Sequence, residues 1–398
     1  MKKISFLDGL RGTAAVVVVI SHFVQVFYPS LFTLRPEMMH NQFEAWLSKT
    51  PFNLFYNGNF SVCIFFVLSG FVLSYKYWET RRVDVVIEST VKRYFRLVLP
   101  VFFSILLVYI ILLLNGFSLE TVSPITYTDM TTHYHALSHD FVTMVRTAFF
   151  DTFFLGNADY NPVLWTMNYE LIGSYLIFAM LIVCRDTPYR YVAYLLLIYM
   201  LRHSYYLAFV LGLLLCDVYH NHQRTLHVFQ KPYIPLLTGI LGLYMGSYPY
   251  IDTSNTIYAL LDVSFMGYDP MKFNHVWGAF FLMIAILAST GIQKILSSPI
   301  CVFLGNISFS LYLLHFTILC SVSGYIFSLL NGSFSYNVSV CISFLLSFPL
   351  MMVGSYLMYR YIDTTSIFWA KKFYLTLFRK QVKPPRVKKA YVQDNSLL

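Results

Sequence analysis

Ten apolar stretches joined by short polar segments decide what this chain can become. They lie near residues 5–28, 59–78, 96–115, 169–184, 190–202, 204–219, 233–249, 274–291, 300–328 and 338–361. About 20 apolar residues in helical form cross a hydrocarbon core of ~30 Å. Backbone in lipid must also satisfy its own hydrogen bonds, which a helix does. The pattern predicts an all-α fold, a polytopic transmembrane helical bundle of about ten spans. The stretch at 190–202 is short for that thickness. It reads as a span, as one arm of a bent hairpin with its successor, or as a re-entrant segment. Charged residues make up 12% of the chain, against ~25% in soluble domains, which excludes an ordinary soluble fold.

Charge placement orients the spans. All but five of the 28 Lys and Arg fall on the side of the N-terminus, the exceptions being Arg35, Lys49, Arg146, Arg202 and Lys272. That bias predicts both termini in the cytoplasm. The net charge of +9 is then a signal of topology, and nucleic acid is not an expected partner. Lys2 and Lys3 precede the first span without a small-x-small cleavage site, so the segment reads as an uncleaved anchor. The six cysteines include no CxxC pair and predict neither a disulfide framework nor a zinc module. Residues 1–370 read as one membrane domain, and 371–398 as a basic cytoplasmic tail lying against anionic lipid. The longest outer connection is 116–165. Others are 29–58, with an amphipathic E-A-W-L, and 250–273. Residues 79–95 and 220–232 read as cytoplasmic loops.

Several polar residues interrupt the apolar runs. Arg11 and His22 stand eleven residues apart on one helix. Eleven steps of ~100° close within roughly 20° of three turns, so both point the same way about 16 Å apart along the axis. Intramembrane ionisable groups are costly and face a polar interior. The bland alternative is a snorkelling Arg and a satisfied core His. Arg93 and Arg96 share one helical turn at the cytoplasmic edge, where two guanidiniums can clamp phosphate or simply anchor the span. With Arg11 they could converge on a polyanionic cytosolic ligand. Glu170 is placed just inside the outer boundary, and His22 is its expected partner, since a carboxylate orients an imidazole and raises its basicity.

Ser69-Gly70 forms a small-residue notch that packing alone would also explain. Trp165 reads equally as a belt residue. Ser308, Tyr312 and His315 share one face of the ninth span, as a cavity lining or as interhelical hydrogen bonds. Two histidine groups, His133/His135/His139 and His220/His222/His227, lack ligand-spaced carboxylates or cysteines, and no metal is expected at either.

Five segments in order resemble the integral-membrane acyltransferase-3 family of sugar and peptidoglycan O-acyltransferases. They are L-D-G-L-R-G with Arg11-x10-His22, F-F-V-L-S-G-F, R-x-x-R-L before Pro100, L-W-T-M-x-x-E ending at Glu170, and G-N-I-S-F-S-L-Y-L-L-H ending at His315. The resemblance implies a ten-helix membrane domain and transfer of an acyl group from cytosolic acyl-CoA to a carbohydrate hydroxyl. It also implies His22 as the essential histidine, Arg11 as its motif partner and Arg93 and Arg96 as the arginine pair. The chain departs from the pattern at Cys63, where many members carry an acid, at Phe309, where Tyr is usual, and at Thr166, where Ser is usual. No SGNH esterase-like domain follows, so the membrane domain is expected to reach the acceptor unaided.

The reading that absorbs most of these features is a membrane O-acyltransferase, with acetyl-CoA the expected donor. A surface polysaccharide, lipopolysaccharide or lipid-linked glycan is the acceptor. Arg11, Arg93 and Arg96 would hold the CoA phosphates. His22 would act as general base or transient acyl carrier, with Glu170 orienting it. Ser69, Trp165, Ser308, Tyr312 and His315 would line or support the acceptor path. The expected partners are the lipid bilayer, acyl-CoA and the carbohydrate, with a homo-oligomer left open. The expected location is the bacterial inner membrane. The rival reading is a transporter that uses the same His, Glu and Arg as a proton or substrate relay.

Overall fold

The computed structural model describes residues 4–128, 137–222, 229 and 231–378. Each apolar stretch is a helix: α1 Ser5–Phe27, α2 Gly58–Thr80, α3 Val83–Leu113, α4 Trp165–Val183, α5 Arg190–Met200, α6 Tyr206–Asn221, α7 Tyr233–Gly246, α8 Pro270–Ala288, α9 Pro299–Ile318 and α10 Tyr336–Met358. A further helix, α11 (Thr364–Leu377), continues α10 through the π-helical turn Tyr359–Asp363. Seven of these segments are long and apolar enough to cross a membrane, namely α1–α4, α8, α9 and the α10–α11 rod. The remaining three, α5, α6 and α7, are apolar helices of 11, 16 and 14 residues. The described residues contain no strand, and the fold is an all-α polytopic bundle.

Small residues set the inner packing. α1 lies against α9 so closely that a Cβ on Gly12 would sit 2.7 Å from Cys301 O. Gly70 of α2 and Gly212 of α6 each face the other helix's backbone with no room for a side chain. Backbone approach of this kind replaces the hydrophobic drive that lipid cannot supply. α1 and α2 thus form the middle of the bundle, flanked by α9 and α6, with α3 and α4 closing one side.

Three boundaries differ from the sequence expectations. α3 begins at Val83, so the expected loop 79–95 is mostly helix. Its first turns bury Val85 and Val86, and Lys92 Nζ bonds Glu88 Oε1 at 2.7 Å. Alternating charges hid this amphipathic start from a hydropathy reading. The expected outer connection 116–165 is also more than a loop. Its helix Phe141–Arg146 and π-helical turn Thr147–Leu155 run back down α3. Tyr109 OH donates to His139 O, and Tyr94 OH, four turns lower, donates to Phe149 O at 2.6 Å. The chain then reverses at Gly156 (φ +72°) and starts α4 inside the bundle. There Asn161 Nδ2 donates to Leu313 O (2.8 Å) and Ser104 Oγ (3.0 Å). Finally, α11 runs past residue 370 to Leu377, and 379–398, most of the expected tail, lies outside the described residues.

Candidate active site

A cavity of about 400 Å³ opens where α1 begins, at the basic end of the bundle. Helices α1, α2, α3, α4 and α9 and the α10–α11 junction all contribute to its wall. Seven of the ten residues singled out in the sequence line it: Arg11, Ser69, Arg93, Arg96, Glu170, Ser308 and Tyr312. The expected convergence of the three arginines is therefore present.

Their settings differ. Arg11 and the exposed Arg96 stand at the mouth. The Arg11 side chain is 32% exposed and lies 3.7 Å from Asp8. Arg93 is deeper, at 11%. It forms an ion pair with Glu170, whose other oxygen accepts from Ser69 Oγ at 2.9 Å. This corrects the expected Glu170–His22 pair. α4 starts lower in the bundle than 169–184 implied, and Glu170 consequently reaches the level of Arg93. The Ser69 notch serves both purposes, with Gly70 packing on α6 and Ser69 holding the carboxylate. Arg93 Nε remains buried without a hydrogen-bond partner.

The inner end of the cavity is closed by Tyr312. Its hydroxyl donates to Val163 O at 2.8 Å and lies 2.9 Å from Thr166 Oγ. One turn further along α9, His315 is fully buried, with its Nε2 3.0 Å from Nδ1 of His22. The ring centroids are 5.1 Å apart. His22 Nε2 has no hydrogen-bond partner among the described residues. Neither histidine lines the cavity, because Tyr312 and Phe65, ring centroids 6.2 Å apart, stand across the path. Trp165 is not at the wall either. It packs among Phe66, Tyr169 and Tyr205.

The sequence pattern of the family described as Acyltransferase domain, the acyltransferase-3 type, matches residues 4–360, nearly the whole chain. The chain belongs to this family. No curated protein and no solved structure matches it.

For this acyltransferase, sequence reasoning missed Tyr359 and Asp363, which complete the cavity wall from the π-helical turn. Asp363 Oδ1 is buried without a hydrogen-bond partner. The signal was an acid at the end of a long apolar run, two residues past the boundary drawn at 361. Among the described residues no group of three or more His, Cys, Asp or Glu is placed to hold a metal ion. His220 Nδ1 bonds Cys216 O and His222 Nε2 bonds Tyr191 OH. His133, His135 and His227 lie outside the described residues. Cys63, Cys184, Cys216, Cys301 and Cys341 are free thiols.

Proposed function

We propose that this acyltransferase moves an acyl group, acetyl in the simplest case, from cytosolic acyl-CoA to a carbohydrate hydroxyl. The observation that carries this reading is one cavity that gathers three arginines, two at its mouth and one deeper, and ends at Tyr312, one helical turn from the paired imidazoles. CoA presents phosphates on a nucleotide and a long, thin, uncharged arm ending in a thioester. Guanidiniums suit the first part. The narrowing between Phe65, Tyr312 and Thr166 suits the second.

From the mouth at Arg11 to His22 the axial rise is about 16 Å, a length of the order of an extended phosphopantetheine arm. Tyr312 must swing aside for the thioester to meet His22. The acceptor hydroxyl gives its proton to His22 Nε2 as its oxygen attacks the thioester carbonyl. The tetrahedral adduct then expels the CoA thiolate, which recovers the proton from the imidazolium. Glu170 serves the donor site as counter-charge to Arg93, and does not orient the base. In this reading the basic end faces the cytosol of a bacterium, and the acceptor is a surface or lipid-linked glycan approaching from the other side.

The test is transfer from radiolabelled acetyl-CoA to an oligosaccharide panel by the full chain in nanodiscs. His22→Ala is expected to fold and to lose transfer by at least ~10²-fold, the low end for a general base. Undiminished transfer in that variant overturns the reading, as does substrate flux into vesicles without any acyl donor.

A further inference from the structure

We propose that His315 is a positioning residue that fixes His22 in the tautomer whose Nε2 is bare. The inference rests on the reading of His22 as the base. It follows from hydrogen counting along a chain of four groups.

A neutral imidazole carries one N–H and one lone-pair nitrogen. His315 Nδ1 lies 3.0 Å from Leu311 O. A carbonyl only accepts, so Nδ1 holds the ring's hydrogen. His315 Nε2 is then an acceptor, and it faces His22 Nδ1 at 3.0 Å. Two bare nitrogens at that separation repel, so His22 Nδ1 carries a hydrogen. Val18 O, 3.2 Å from the same nitrogen, is a second and longer acceptor for that one hydrogen, which the shorter contact to His315 chiefly holds. The one hydrogen of His22 is thereby placed, and Nε2 keeps its lone pair for the acceptor hydroxyl.

Burial makes the arrangement persistent. His315 is 0% exposed, so no water competes for its nitrogens. Phe316 meets the His22 ring edge-on with centroids 5.3 Å apart, which limits ring rotation. In many hydrolases a carboxylate sets the tautomer of the base. Here a neutral ring tied to a backbone carbonyl does so without burying an anion, which hydrocarbon surroundings would penalise. When His22 takes up the proton, its Nδ1–H···Nε2 bond becomes charge-assisted and shortens.

The test uses the full chain in nanodiscs with 15N-labelled histidine. The His22 signals are assigned by difference against His22→Gln, and the protonated nitrogen is read from the 15N shifts. Wild type is expected to show Nδ1–H and bare Nε2. His315→Gln, whose side-chain carbonyl can still accept, is expected to keep that tautomer and to stay within about tenfold of wild-type turnover. His315→Leu is expected to give mixed tautomers. Its kcat should fall by about 10²-fold, as general-base contributions allow, with KM for acetyl-CoA unchanged. A wild-type spectrum with hydrogen on Nε2 overturns the proposal. So does a His315→Leu protein with unchanged His22 nitrogens, whatever its activity. Full activity of His22→Gln is a different failure. It removes the base and with it the proposed reaction.

Discussion

Two buried arginine–carboxylate pairs stand at the basic end of this bundle, and they are built to opposite purposes. Arg190 of α5 and Asp217 of α6 saturate each other. Arg190 Nε reaches Asp217 Oδ2 at 2.6 Å, and Nη1 donates to Asp186 O (3.1 Å) and Thr187 O (3.0 Å). Nη2 donates to Tyr191 OH at 2.7 Å. Asp217 also accepts from Tyr194 and Asn221, and Trp78 covers the guanidinium. Arg93 and Glu170 form an ion pair too, but Arg93 Nε is left over, and the pair faces a cavity. The first pair is a staple between helix ends. The second lines the cavity, and in the proposed reaction it would hold its charge for the donor. What separates them is the hydrogen-bond capacity left unused, together with the carboxylate's exposure, 15% for Glu170 against 0% for Asp217.

The sharpest way to break this contrast is to remove each arginine in turn. Arg190→Ala strands Asp217, which is 0% exposed. Losing one partner of a buried pair costs about 3–5 kcal/mol, so the variant should melt far lower. Whatever folds should bind acetyl-CoA as wild type does. Arg93→Ala should show the reverse. Glu170 keeps Ser69 and borders the cavity, so stability falls less. Donor affinity falls by about 10- to 100-fold, because a hydrogen bond to a charged group contributes about 1.5–3 kcal/mol. Thermal melting and isothermal titration on both variants decide it. Loss of donor binding in Arg190→Ala, or its retention in Arg93→Ala, removes the distinction.

This contrast also marks where the sequence stops being legible. The ten helices were readable because hydropathy reports burial in lipid directly, and the arginine convergence followed from the topology that puts Arg11 at the same membrane face as Arg93 and Arg96. The partner of Glu170 was not readable, because it depends on where α4 starts. That start is set by Asn161 bonding Leu313 O, a contact across 152 residues. The descent of 141–155 along α3 was hidden for the same reason, since no local pattern announces a segment that enters the bundle and returns. His315 was legible as one of a polar stripe but not as the partner of His22, which lies 293 residues away in sequence. Asp363 escaped because the last apolar run was drawn to end at 361, two residues short of the acid that closes the π-helical turn.

A smaller effect sharpens the comparison by its sign. Glu170→Gln leaves a carbonyl for Ser69 and removes the anion that, in the proposed reaction, would compete with the donor's phosphate for Arg93. Donor affinity should rise, by about threefold if ~0.7 kcal/mol of ion pairing is released at this partly solvated site. Asp217→Asn should leave it unchanged, because that pair does not border the cavity. Titration of acetyl-CoA into both proteins gives the answer. A fall in affinity in Glu170→Gln means that the carboxylate contacts the donor itself, and Glu170 is then more than a counter-charge.

Ionic strength should divide the two regions least, but in a way no substitution can mimic. Salt shortens the Debye length from about 10 Å at 0.1 M to about 3 Å at 1 M, and it screens exposed charges far more than buried ones. Arg11 and Arg96 at the mouth are open to solvent, whereas the Arg190 and Asp217 side chains are 11% and 0% exposed. Raising salt over that range should weaken acetyl-CoA binding severalfold through the mouth arginines while leaving the melting temperature nearly unchanged. In Arg11→Gln the salt dependence should shrink and part of it should persist, because Arg96 remains. If binding is indifferent to salt in the wild type, the mouth arginines take no part in donor capture. The cavity's charge then acts only at the depth of Arg93, where Glu170 already meets it.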